Sequence, residues 1–93
     1  MLINFVQIIK LDAVSYTLES VYINPKHIVL LKENKQCRDA LTEGKINLPI
    51  DKHAEFTTIF ISENSSTKEI VVVGSPSSVE SKLFNKQKQI LRG

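Results

Sequence analysis

At 93 residues, with 42% apolar and 24% charged side chains, the chain is long enough for one modest core and too ordinary in composition for a disordered segment. Its single cysteine, Cys37, excludes an internal disulfide, and a net charge of +2 excludes a strongly basic or acidic protein as a whole. That small net charge is unevenly spread: residues 1–81 carry eight Lys or Arg against ten Asp or Glu, while Lys82, Lys86, Lys88 and Arg92 close the chain with no acid among them.

In chain order, residues 2–11 predict a first strand, apolar on both faces and rich in Ile, Val and Phe. Asn4 and Gln7 interrupt this run, and there is no basic lead or small-residue cleavage site. It is therefore read neither as a signal peptide nor as a membrane span, and the expected location is the cytoplasm. Asp12 to Ser15 predict a turn or an irregular connection. Residues 16–24 predict a second strand, with Tyr16, Leu18 and Tyr22 on one face and Val21 and Ile23 on the other.

Asn24-Pro25 ends that strand, because proline fixes φ and offers no N–H to a ladder. His27 to Leu31 resume as a third strand. The short spacing predicts that the second and third strands are antiparallel neighbours or one bent strand.

Residues 33–54 differ in kind: Lys, Glu, Asn and Asp dominate, with Gly44 and Pro49 as punctuation. They read as a polar excursion or long loop. Residues 36–43 are compatible with a short helix that turns Leu41 and Cys37 inward. Phe56 to Ile61 predict a fourth strand, Glu63 to Thr67 a hairpin loop, and residues 69–73 a fifth strand with three consecutive valines.

The final helix is well signed. Ser75 can cap it, Pro76 fits the first helical position, and Ser77 with Glu80 offers a capping box two residues on. Val79, Leu83 and Ile90 recur at helical spacing, widened by Phe84 and Leu91, so residues 76–91 predict an amphipathic basic helix. The expected fold is α+β: one domain over 1–93, a mainly antiparallel sheet of about five strands, and a C-terminal helix packed on it. A sheet apolar on both faces needs two covers. One helix supplies one, so the long segment or a second copy of the chain must supply the other, and a homo-oligomer is a physical expectation.

Three stretches together carry a resemblance: Val21-Tyr22-Ile23-Asn24-Pro25-Lys26-His27-Ile28-Val29, then Thr57 to Ile61, then Val71-Val72-Val73-Gly74-Ser75-Pro76-Ser77-Ser78-Val79. This layout resembles short proteins of tailed phages. It is also similar to the small FlbD-like proteins linked to flagella and swarming. The likeness spans about half the chain. The chain departs from it in the inserted 33–54 segment and in Gly74, where the flagellar group tends to have an acid. The resemblance implies a small sheet with a helix and a phage or bacterial accessory role, and it brings no catalytic residues.

No catalytic, cofactor or metal constellation stands out. His27, His53 and Cys37 lack ligand spacing, and the glycines at 44, 74 and 93 make no phosphate loop. No Gly-x-Ser-x-Gly pattern occurs. Asn64-Ser65-Ser66 matches a glycosylation acceptor by chance composition. Leu91-Arg92-Gly93 lacks the diglycine of ubiquitin-like tails. A small enzyme would have to gather Asp12, His27 or His53 with a second polar group. The expected function is a non-enzymatic accessory protein with a host or viral protein partner. Its expected contacts are Lys35, Arg38, Lys45 and Lys52 in the polar segment and the basic helix end. The rival expectation is a weak nucleic-acid binder using Lys82, Lys86, Lys88 and Arg92.

Overall fold

The computed structural model describes residues 1–13 and 15–92, with the backbone alone from residue 85 onward. It is an α+β fold built on one five-stranded antiparallel sheet. The strands are β1 (Ile3–Lys10), β2 (Tyr16–Ile23), β3 (Ile28–Glu33), β4 (Phe56–Glu63) and β5 (Ser66–Val73). Helix α1 (Lys35–Thr42) follows β3, and α2 (Pro76–Arg92) ends the described chain. The sheet order is β2-β1-β5-β4-β3.

The β4–β5 hairpin turns on Asn64 and Ser65, whose φ values of 47° and 70° are those of a two-residue turn matched to strand twist. Glu63 faces Ser66 directly, so both strands run longer than the polar composition of residues 63–67 suggests. β1 and β2 pair over their whole length, from Ile3 opposite Ile23 to Lys10 opposite Tyr16. β1 meets β5 at a single bridged pair, Gln7 with Val72.

β2 and β3 are not neighbours, contrary to the reading of their short spacing. They are the two edges of the sheet, joined by Asn24 and a 3-10 turn at Pro25–His27. Asn24 caps that turn through its Oδ1, which accepts from the Lys26 N–H at 3.0 Å. Laid flat, five strands would hold their edges about 19 Å apart. A linker of this length with one 3-10 turn spans only about 13 Å. The sheet must therefore curl until its edges approach. Ile23 of β2 and Ile28 of β3 accordingly join one apolar cluster.

Each face has its own cover. One cluster gathers Ile3, Phe5, Ile23, Ile59 and Val72 under Val79 and Leu83 of α2. The other gathers Phe56 with Leu41 of α1 and with Ile46 and Leu48 of the segment after it. Ile8, Leu18, Val71 and Val73 pack against this second cluster from the sheet. The second cover thus comes from residues 35–50 of the same chain rather than from a second copy, which removes the face-covering argument for self-association.

Local chemistry explains how so polar a segment can cover a face. Asn34 caps α1, its Oδ1 accepting from the Cys37 N–H at 3.0 Å while its Nδ2 donates to Thr58 Oγ1 at 3.1 Å. The helix ends on Gly44 at φ 77°, a left-handed position suited to glycine. There the Gly44 N–H donates to the Leu41 carbonyl and the Lys45 N–H to the Ala40 carbonyl, at 3.1 and 2.8 Å. This reversal returns Ile46 toward the sheet. At the other helix, Ser75 Oγ accepts from the Ser78 N–H at 3.2 Å, so Ser75 rather than Ser77 is the cap.

Candidate functional site

The basic residues singled out in the sequence do not form one positive surface. Lys35 opens α1 and is exposed. Arg38 is 3.3 Å from both Glu33 and Asp39, and Lys45 is 3.0 Å from Glu43, so acids neutralise both cations locally. Lys52 is exposed; its backbone carbonyl accepts from Thr42 Oγ1 at 3.1 Å, tying the segment to α1. Lys82 does not project freely. Its ammonium donates to the Asn4 carbonyl and lies 4.8 Å from the centre of the Phe5 ring, a cation–π contact across α2 and β1. The side chains of Lys86, Lys88 and Arg92, and Gly93, lie outside the described residues.

Of the three residues named for an enzyme, His27 shares a cleft with Glu63 and Lys68, while Asp12 lies at the far end of β2. Asp12 lies in the connection before β2, and its Oδ1 accepts from the Ser15 N–H at 2.9 Å. His27 follows β2, its Nδ1 3.3 Å from the Ser62 carbonyl. The length of an eight-residue strand, more than about 20 Å, thus separates these two loops. His53 lies in the lead into β4, where its N–H donates to Asp51 Oδ1 at 2.8 Å. Among the described residues no three His, Cys, Asp or Glu side chains converge. No buried side-chain nitrogen or oxygen among them lacks a partner either. Cys37 is half-buried against the second cluster, and that burial pushes its thiol up from an ordinary value of 9.0, which makes it a poor nucleophile.

What the fold does gather is apolar surface at the two sheet edges. Tyr22 on β2 is 64% exposed; Val29 and Leu30 on β3 are 59% and 47% exposed. Between β2 and the β4–β5 hairpin lies a cleft of about 270 Å³, lined by Val21, Ile61 and Ile70 and by the exposed Tyr22, His27, Glu63 and Lys68. The edges themselves differ. β3 has six residues, a register shift between Ile28 and Leu30 and Lys32 within it. Those are the devices by which proteins protect a sheet edge from stray pairing. β2 has eight residues in unbroken register with β1, no proline, no cation, and Glu19 as its single charge.

Sequence reasoning missed these edges as a site. The signal lay in the four residues between Ile23 and Ile28, which suit a hairpin as readily as a corner. Only the order of the sheet turns them into a junction between two free edges. Among the described residues no helix is long and apolar enough to cross a membrane. No protein-family model, curated protein or solved structure matches the chain.

Proposed function

We propose that the protein is a small non-enzymatic accessory protein that acts in the cytoplasm through contacts with another protein. The observation that carries this reading is the exposure of Tyr22, Val29 and Leu30 on the free edges of a sheet whose two faces are already covered. Large apolar side chains at an unpaired edge gain roughly 1.5–3 kcal/mol each when a partner covers them fully. The β2 edge, in unbroken register, also offers its outward N–H and C=O groups as a template for an added strand. The resemblance to small phage proteins supports an accessory role. The pairing of Arg38 and Lys45 with acids, and the docking of Lys82 on β1, weigh against the rival nucleic-acid reading.

The test is retention of a partner by the tagged protein in nuclease-treated lysate of its native host, beside the double variant V29S/L30S. The expected result is a protein held by the wild type through nuclease and moderate salt, and lost from the variant. Binding that vanishes with nuclease, weakens steeply with salt and disappears when the four C-terminal cations are removed would overturn the reading in favour of nucleic acid.

A further inference from the structure

We propose that β2 is the contact strand for a second copy of this chain, the two copies pairing antiparallel across their β2 edges into one continuous sheet. The proposal rests on the protein-contact reading and names one partner for it. The contrast between the edges is the first ground. β3 is short and carries a bulge and a lysine, whereas β2 is longer, in unbroken register and without a cation, with Glu19 as its single charge. Among the described residues β2 is laddered to β1 alone, so alternate N–H and C=O groups along its other side face outward.

The second ground is self-complementarity. A two-fold axis perpendicular to the sheet keeps each face on its own side, so residues facing one another across the axis must share a face. β2 alternates Thr17, Glu19, Val21 and Ile23 on the α2 side with Tyr16, Leu18, Ser20 and Tyr22 on the α1 side. An axis through Glu19 sets two carboxylates directly opposite, which destabilises a pair. An axis through Ser20 gives the longest overlap without that clash, residues 17–23 of each copy. It sets Ser20 against Ser20, Leu18 against Tyr22, Glu19 against Val21 and Thr17 against Ile23. Small exposed hydroxyls then meet at the axis, and the exposed Tyr22 ring gains an apolar neighbour from the other copy. The two Glu19 side chains fall on a diagonal at about 7–8 Å, a residual repulsion. An interface of one strand per copy is at the small end for association, so the dimer is concentration-dependent.

The experiment is sedimentation of the whole chain over a concentration series, with the variants S20K and E19Q. The wild type is expected to pass from monomer to dimer as concentration rises. S20K sets two ammonium groups together at the axis and is expected to stay monomeric with an unchanged unfolding midpoint, since Ser20 is exposed. E19Q relieves the diagonal repulsion and is expected to dimerise several-fold more tightly. Register is read in the Cys37→Ser background by oxidation with diamide. S20C is expected to cross-link rapidly and E19C slowly, because a disulfide does not span a diagonal Cα separation beyond about 7 Å.

A wild type that remains monomeric to millimolar concentration overturns the proposal, as do equal cross-linking rates for the two cysteine variants. A monomeric wild type that still holds a foreign protein, lost in S20K, would assign the edge to a foreign strand. That would sink self-pairing while leaving the protein-contact reading intact.

Discussion

The two covers of the sheet do the same work with opposite sequence signatures. α2 carries its apolar residues on a helical stripe behind Ser75 and Pro76, and Val79 and Leu83 land on the sheet as that stripe requires. The other cover comes from a segment that reads as polar, yet Leu41, Ile46 and Leu48 are buried within it. A face does not need an apolar segment to cover it. It needs a few apolar side chains delivered at the right points by a cap, a helix turn and a reversal. Asn34 and Gly44 supply the cap and the reversal here.

This comparison can be broken most severely at Phe56, which is fully buried beneath the polar cover. Phe56→Ala is expected to cost about 3–5 kcal/mol, read as a fall in urea unfolding free energy, because the ring leaves a cavity that the backbone cannot fill. A loss below 1 kcal/mol would mean that the polar cover adds little. Next in size is the direct contest between covers. Leu41→Ala should cost about 3 kcal/mol and Val79→Ala about 2 kcal/mol by the same measurement, in keeping with the larger side chain removed from α1. If only Val79→Ala destabilises, α1 is an appendage and the equivalence of the covers fails.

Asn34→Ala sharpens the account of how the polar segment is held. It removes the α1 cap and the bond to Thr58 together, and should cost about 1–2 kcal/mol while leaving the α2 side intact. Hydrogen exchange should then show α1 opening ahead of β1 and β2. Simultaneous opening of all elements would refute a local role.

The smallest effect concerns pH. The folded state holds the proton of Cys37 more tightly than the unfolded chain does, because burial disfavours the thiolate. The thiol's contribution to stability is therefore complete below its ordinary value of 9.0 and is lost as the pH rises through the higher folded-state value. Wild type should lose stability relative to Cys37→Ala across that alkaline window and match its pH dependence below it. Parallel curves at all pH values would show Cys37 to be exposed in solution.

Much of the fold was legible before the structure. Strand existence followed from β-branched runs, the hairpin from Asn64 and Ser65, and α2 from Ser75 and Pro76. These are local signals, in which the side chain itself restricts φ or satisfies a nearby backbone group. Even the short helix around Leu41 and Cys37 was visible, since its inward positions lie four residues apart. The exposed edges were not legible. Tyr22, Val29 and Leu30 look like ordinary strand residues, and nothing in their neighbours says whether another strand will cover them.

By itself, the sequence determined the elements, their approximate limits and the need for two covers, because backbone preference and apolar periodicity act over a few residues. Tertiary structure alone decided that β2 and β3 are opposite edges rather than neighbours, and that residues 35–50 are a cover rather than a free loop. It also decided that Lys82 is anchored on β1. Each of those outcomes depends on pairing between residues far apart in the chain. Such pairing is settled by the competition among whole-sheet arrangements for the same buried area, and no local stretch of sequence encodes it.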